Sequence, residues 1–193
     1  MTEETAILDL GPAARRVTSL LSGVSDDQLG APTPCGTYAV GDLLDHFMGL
    51  TLGMRYAAQK AAGGPRPGRS SVDQLDPDWR EALPERLAEL AAAWREPAAW
   101  QGETEAGGIT MPAEVMGIVA LDELVIHGWD LARATGQEFD CDPRSTEAVI
   151  GLLTRSLKDR PKELFGEAVP VPEDAPPLDR AIGLSGRDPA WTA

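Results

Sequence analysis

The sequence predicts an all-α protein, a four-helix bundle with an additional C-terminal helix and a Pro-rich tail, and three observations predict it. Apolar residues recur at spacings of three and four almost throughout, and no sustained period of two appears. The length of 193 residues with 42% hydrophobic content suits one core of ordinary size, so residues 1–193 read as a single domain. Stretches rich in Gly, Pro, Ser and Asp separate the periodic segments, as medium loops separate the helices of a bundle.

The first helix covers about residues 11–21, with Ala14, Val17, Leu20 and Leu21 on one face. The turn-rich segment SDDQLGAPTPCGT leads into a second helix over about 38–62, where Val40, Leu43, Leu44, Phe47, Leu50 and Met54 form an amphipathic face. Residues 63–78, GGPRPGRSSVDQLDPD, read as an exposed mobile loop. A third helix over about 78–95 carries Leu83, Leu87, Leu90 and Trp94 as a stripe, and Pro84 predicts a later start or a kink. EPAAWQGETEAGGIT is a loop or a short irregular hairpin. A fourth helix is expected to begin near Thr110 as N-cap, with Pro112 just inside, and to end at Gly136. It holds Met116, Val119, Ala120, Ile126 and Leu131. A fifth follows Asp142-Pro143 and carries Val149, Ile150, Leu152, Leu153 and Leu157. In the tail, VPVPEDAPPLDRAIGLSGRDPAW, only residues 178–184 are patterned as helix.

Charge and rare residues narrow the function. Thirty-one acids against seventeen Lys and Arg give −14, a field that repels phosphate backbones and anionic lipid, so neither nucleic acid nor a membrane is an expected partner. The acidic N-terminus MTEETAILDLGPAARR lacks the apolar core of a secretory signal, and no run approaches the ~18 apolar residues of a membrane span. Cys35 and Cys141 are far apart with no CxxC spacing, so a cytoplasmic setting with free thiols is expected. GxSxG, P-loop, dinucleotide and HExxH patterns are absent, and no catalytic residue is nominated. The two histidines, His46 and His127, exclude a three-histidine metal site.

Those two histidines are where chemistry concentrates. Glu123 and His127 lie four residues apart on the fourth helix, about 40° apart around its axis. Two readings stand for the pair. The first, more frequent on spacing alone, is a helical Glu–His contact at a packed interface. In the second a cation compensates a carboxylate that projects from an apolar stripe. His46, between Leu43 and Leu50, faces the same core from the second helix. It reads as a satisfied core histidine or as a third ligand. Two imidazoles and one carboxylate suit catalytic zinc first, with a fourth position open, and suit iron or nickel as well.

Asp130 lies seven residues after Glu123 on nearly the same face. It reads either as the acceptor that orients His127 or as a solvated or salt-bridged acid near the helix end. Trp129 reads as core or pocket wall and Arg187 as a surface arginine rather than an anion anchor. Cys35 is expected roughly 12 Å or more along the helix axis from His46, too far for a direct ligand.

TPCGTYAVGDLLDHFMG and ELVIHGWDLARATGQ, followed by a tail ending in LSGRDPAW, resemble the actinobacterial metal-binding proteins of the DinB-like superfamily. These are relatives of the metal-binding domain of mycothiol-dependent maleylpyruvate isomerase. The resemblance spans about residues 10–191 and implies a DinB-like four-helix bundle, a tendency to form homodimers, and a metal held by His46, Glu123 and His127. It also implies a low-molecular-weight thiol such as mycothiol as cofactor, with its sulfur on the metal. Tyr38 and Ala39 stand where the family usually has Trp and Thr, a change at the pocket wall and helix cap rather than among the ligands. The family's isomerase carries a further domain that contributes to its active site, so isomerisation as such is not implied. The expected function is a divalent-metal-dependent thiol transferase or isomerase acting on a small electrophile. Its rivals are a non-catalytic metal- or ligand-binding stress-response module and a structural helical interaction domain.

Overall fold

In a computed structural model, residues 7–65, 68–156 and 167–193 are described. Helix α1 (Gly11–Leu21) occupies the expected span, with Ala14, Val17, Leu20 and Leu21 buried. Asp9 Oδ1 accepts the Gly11 N–H at 2.9 Å, and Pro12 sits in the first turn, where its missing donor is not needed.

Helix α2 (Val40–Gln59) is shorter than expected at both ends. Residue Ala39 is extended and bridged to Pro32, so the helix starts after it, and Asp42 Oδ2 accepts the Ala39 N–H at 3.0 Å. Lys60 adopts a left-handed conformation, φ 52°, and ends the helix. The loop beyond it was expected to be mobile, but its second half is pinned to α2. Asp45 accepts the Ser71 N–H at 3.1 Å and Asp42 the Val72 N–H at 2.8 Å.

Helix α3 (Trp79–Ala93) takes Pro84 inside its span, and Leu83, Leu87, Leu90 and Trp94 are buried as the stripe requires. The Trp94 indole donates to the Met54 carbonyl at 3.1 Å, which ties α3 to α2. Strands β1 (Glu103–Ala106) and β2 (Ile109–Pro112) form an antiparallel hairpin with Glu103 opposite Pro112 and Ala106 opposite Ile109. This corrects the expected start of the fourth helix. Gly107 and Gly108 both have positive φ, the conformation a two-residue hairpin turn needs, so Thr110 is drawn into a strand instead of capping a helix, and Pro112 ends that strand as the N-cap residue rather than lying inside the helix.

Helix α4 (Ala113–Ala134) therefore begins after Pro112, and it ends before Gly136, whose φ is +70° as expected of the residue closing a helix. Helices α5 (Pro143–Ser156) and α6 (Pro177–Leu184) follow. Asp142 Oδ1 accepts the Ser145 N–H at 3.0 Å at the start of α5, and Leu157 lies outside the described residues. α1 and α2 each pack on both α3 and α4, which closes a four-helix ring, while α5 covers the outer side of α4 and α6 packs on α5. Buried on almost every side from Ala120 to Ala134, α4 is the axis of the molecule. Its close approach to α1 passes over Gly128, where a Cβ would stand 2.8 Å from the Phe139 ring and 3.0 Å from Val17. Among the described residues, no helix is long and apolar enough to cross a membrane. Cys35 and Cys141 are free thiols.

Candidate metal centre

Where α2 crosses α4, His46 meets Glu123 and His127. Both imidazoles turn Nε2 toward one carboxylate oxygen, Glu123 Oε2, at 3.0 Å for His46 and 3.4 Å for His127. The rings lie 4.8 Å apart, nearly edge to face, with Tyr38 5.3 Å from His46 and Phe47 6.3 Å from His127. One ligand atom from each of the three residues falls within 4.8 Å of the others. All three side chains keep partial exposure, 23% for His46, 27% for Glu123 and 11% for His127, so the cluster opens to solvent on one side.

Behind His127 the geometry is closed. Its Nδ1 lies 2.9 Å from Asp130 Oδ2, and Asp130 is fully buried. Arg187 grips both oxygens of that carboxylate, Nη2 to Oδ2 at 3.0 Å and Nε to Oδ1 at 3.3 Å. Asp130 is thus a buried, salt-bridged acid within hydrogen-bond distance of His127, and the solvated alternative fails. The expectation of a surface arginine at 187 also fails, since the side chain is 13% exposed. No helical spacing links residues 130 and 187; the only sequence signal was an arginine in a Gly- and Pro-flanked tail. Trp129 is core, as expected.

Cys35 is nearer than the helical-rise argument allowed: its sulfur, a His127 nitrogen and an Asp130 oxygen lie within 4.8 Å of one another. The argument assumed that the chain before α2 prolongs its axis. Instead the Pro32–Ala39 bridge, the Gly36 turn and the Thr33 hydroxyl donating to the Tyr38 carbonyl double it back over the cluster. Among the described residues two groups could hold a metal ion; the one with Cys35 already has the Arg187 guanidinium on its carboxylate, whereas the Glu123 carboxylate of the other meets the His46 and His127 imidazoles.

The electrostatics favour an ionised Glu123. Burial pushes the Glu123 carboxyl up, but the His46 hydrogen bond and the charges of His127, His46 and Arg187 outweigh it and lower it to about 2. Burial would lower Arg187, but the charge and hydrogen bonds of Asp130 raise it. Asp130, paired with that guanidinium, lies 2.9 Å from His127 Nδ1, so it is the acceptor when that nitrogen carries a proton, and Nε2 then faces Glu123 Oε2 as a second nitrogen able to ligate a cation. Tetrahedral zinc with bonds of about 2.0–2.1 Å sets neighbouring ligand atoms roughly 3.3 Å apart. The separations of 3.0 and 3.4 Å bracket that spacing.

Residues 10–132 match the family described as the mycothiol maleylpyruvate isomerase N-terminal domain. Two uncharacterized proteins from two strains of Mycobacterium tuberculosis are 30% identical over 187 residues, covering 88% of this chain and 90% of theirs. The crystal structure of the mycothiol-dependent maleylpyruvate isomerase shares the fold, with TM-score 0.53 and 22% identity over 75% of this chain and 67% of that one. A mutant of that enzyme gives TM-score 0.58 and 20% identity over 83% and 72%.

Proposed function

Because the chain belongs to the mycothiol maleylpyruvate isomerase N-terminal domain family, we propose that it is a divalent-metal protein promoting addition or substitution by a low-molecular-weight thiol on a small electrophile. His46, Glu123 and His127 are the metal ligands, zinc is the metal, and mycothiol is the thiol. Residues 1–193 act as one unit, in the cytoplasm. The observation that carries this reading is the convergence of two imidazole Nε2 atoms on one carboxylate oxygen, with His127 Nδ1 2.9 Å from the buried Asp130 carboxylate.

A divalent cation held by these three residues would supply Lewis acidity and lower the pKa of a thiol bound to it. The remaining work belongs to the chain. Glu123 contributes the negative charge of the ligand set, and Asp130 fixes the plane and tautomer of His127. Phe47 is buried against His127 and Tyr38 stands beside both rings, so aromatic side chains bracket the imidazoles.

Turnover tests the proposal. Metal-loaded protein supplied with mycothiol and a panel of activated alkenes and halides should consume thiol and electrophile together, and Glu123→Ala should not. Metal binding without thiol consumption across the panel would favour a non-catalytic binding module.

A further inference from the structure

We infer that Arg187, carried by the C-terminal tail, is a positioning residue of the metal centre: through Asp130 it sets the orientation and tautomer of His127. The inference rests on the metal reading above and adds a residue that lies outside the span matching the family.

The contacts are those of a strut rather than of a surface ion pair. Two nitrogens of the guanidinium meet the two oxygens of one carboxylate, an arrangement that fixes the carboxylate plane as well as its charge. The third nitrogen, Nη1, donates to the Ser185 carbonyl at 3.1 Å and ties the fork to its own backbone. That backbone is itself held: the Arg187 N–H returns to the Ile182 carbonyl at 3.1 Å, closing the end of α6. Three residues after Asp130, Arg133 donates to the Trp191 carbonyl, so α4 grips the tail at two points.

Asp130 Oδ2 is shared between Arg187 Nη2 and His127 Nδ1. Its direction is therefore set from the tail, and His127 Nδ1–H follows it. With Nδ1 carrying the proton, Nε2 is the nitrogen left for a cation. A buried carboxylate without its guanidinium lacks both its charge partner and the fork that fixes its plane, and the imidazole loses a defined acceptor. Lysine restores charge but not the two-point fork.

Two readouts on the full chain decide this, using Arg187→Met and Arg187→Lys. The first is the long-range 1H–15N spectrum of the metal-free protein, which reports the nitrogen of His127 that carries the proton. The wild type should show Nδ1–H as a single form, and Arg187→Met a mixture of tautomers. The second is zinc affinity by competition with a chromophoric chelator, alongside the metal-free melting temperature of each variant. Arg187→Met should weaken zinc binding by about 10–100-fold, as loss of an orienting partner does elsewhere, with Arg187→Lys in between. A lower melting temperature with wild-type affinity and a wild-type His127 spectrum in both variants would reduce Arg187 to a structural role and overturn the inference. Should Arg187→Met fail to fold, Arg187→Lys carries the test by the same two readouts. A wild type that binds no zinc refutes the metal reading, and the His127 spectrum still decides the role of Arg187.

Discussion

At the scale of single residues, the centre is a balance of donors and acceptors. His127 is held by acids on both nitrogens, and Glu123 by imidazoles from two helices. Glu123→Gln keeps the shape and removes the charge, so zinc affinity should fall at least about tenfold, measured by chelator competition. The same carboxylate gives the metal-free protein an acid limb. Its folded pKa, about 2, lies below the ordinary 4.5, so its stabilising contribution is fully present above pH 4.5 and is lost as the pH falls toward 2. Melting temperatures of the metal-free protein across that window should drop more steeply for the wild type than for Glu123→Gln. His46, Glu123 and His127 were legible in the sequence because helical spacing fixes which residues share a face. Arg187 was not, since its partner is 57 positions away and no local period connects a tail to a helix. Cys35 was misplaced for a related reason: the doubling-back of residues 32–39 depends on a bridge and a glycine turn, not on helical rise.

Among the elements, α4 carries both the site and the core, and its packing sets how far the site can shift. A methyl group at Gly128 would press on Phe139 and Val17, so Gly128→Ala should cost about 1–3 kcal/mol in denaturant unfolding, with zinc affinity lowered as α4 moves from α1. Leu124 is fully buried beside Glu123, and Leu124→Ala should cost about 2–5 kcal/mol in the same measurement. The apolar spacings of α1, α3 and α5 were read directly, because one-sided burial imposes a period on the sequence. The β1–β2 hairpin shows where that reading fails. Thr110 and Pro112 carry helix-start chemistry, but the Gly107-Gly108 turn and pairing with residues 103–106 take precedence, and residues 110–112, the expected helix start, become strand.

For the molecule as a whole, the bundle brings the proposed ligands together from two helices, and the tail packs behind His127 through Arg187 and Asp130. The formal charge of −14 is compatible with a cation at the partly exposed cluster. A ligand that binds only the folded state stabilises it, so zinc should raise the melting temperature of the wild type and not that of Glu123→Ala. Whether His46, Glu123 and His127 hold a divalent metal is decided by elemental analysis of protein purified without chelator, wild type beside His46→Ala. One divalent metal per wild-type chain and a large loss in the variant are expected; no metal in the wild type, or equal content in the two proteins, would overturn the assignment.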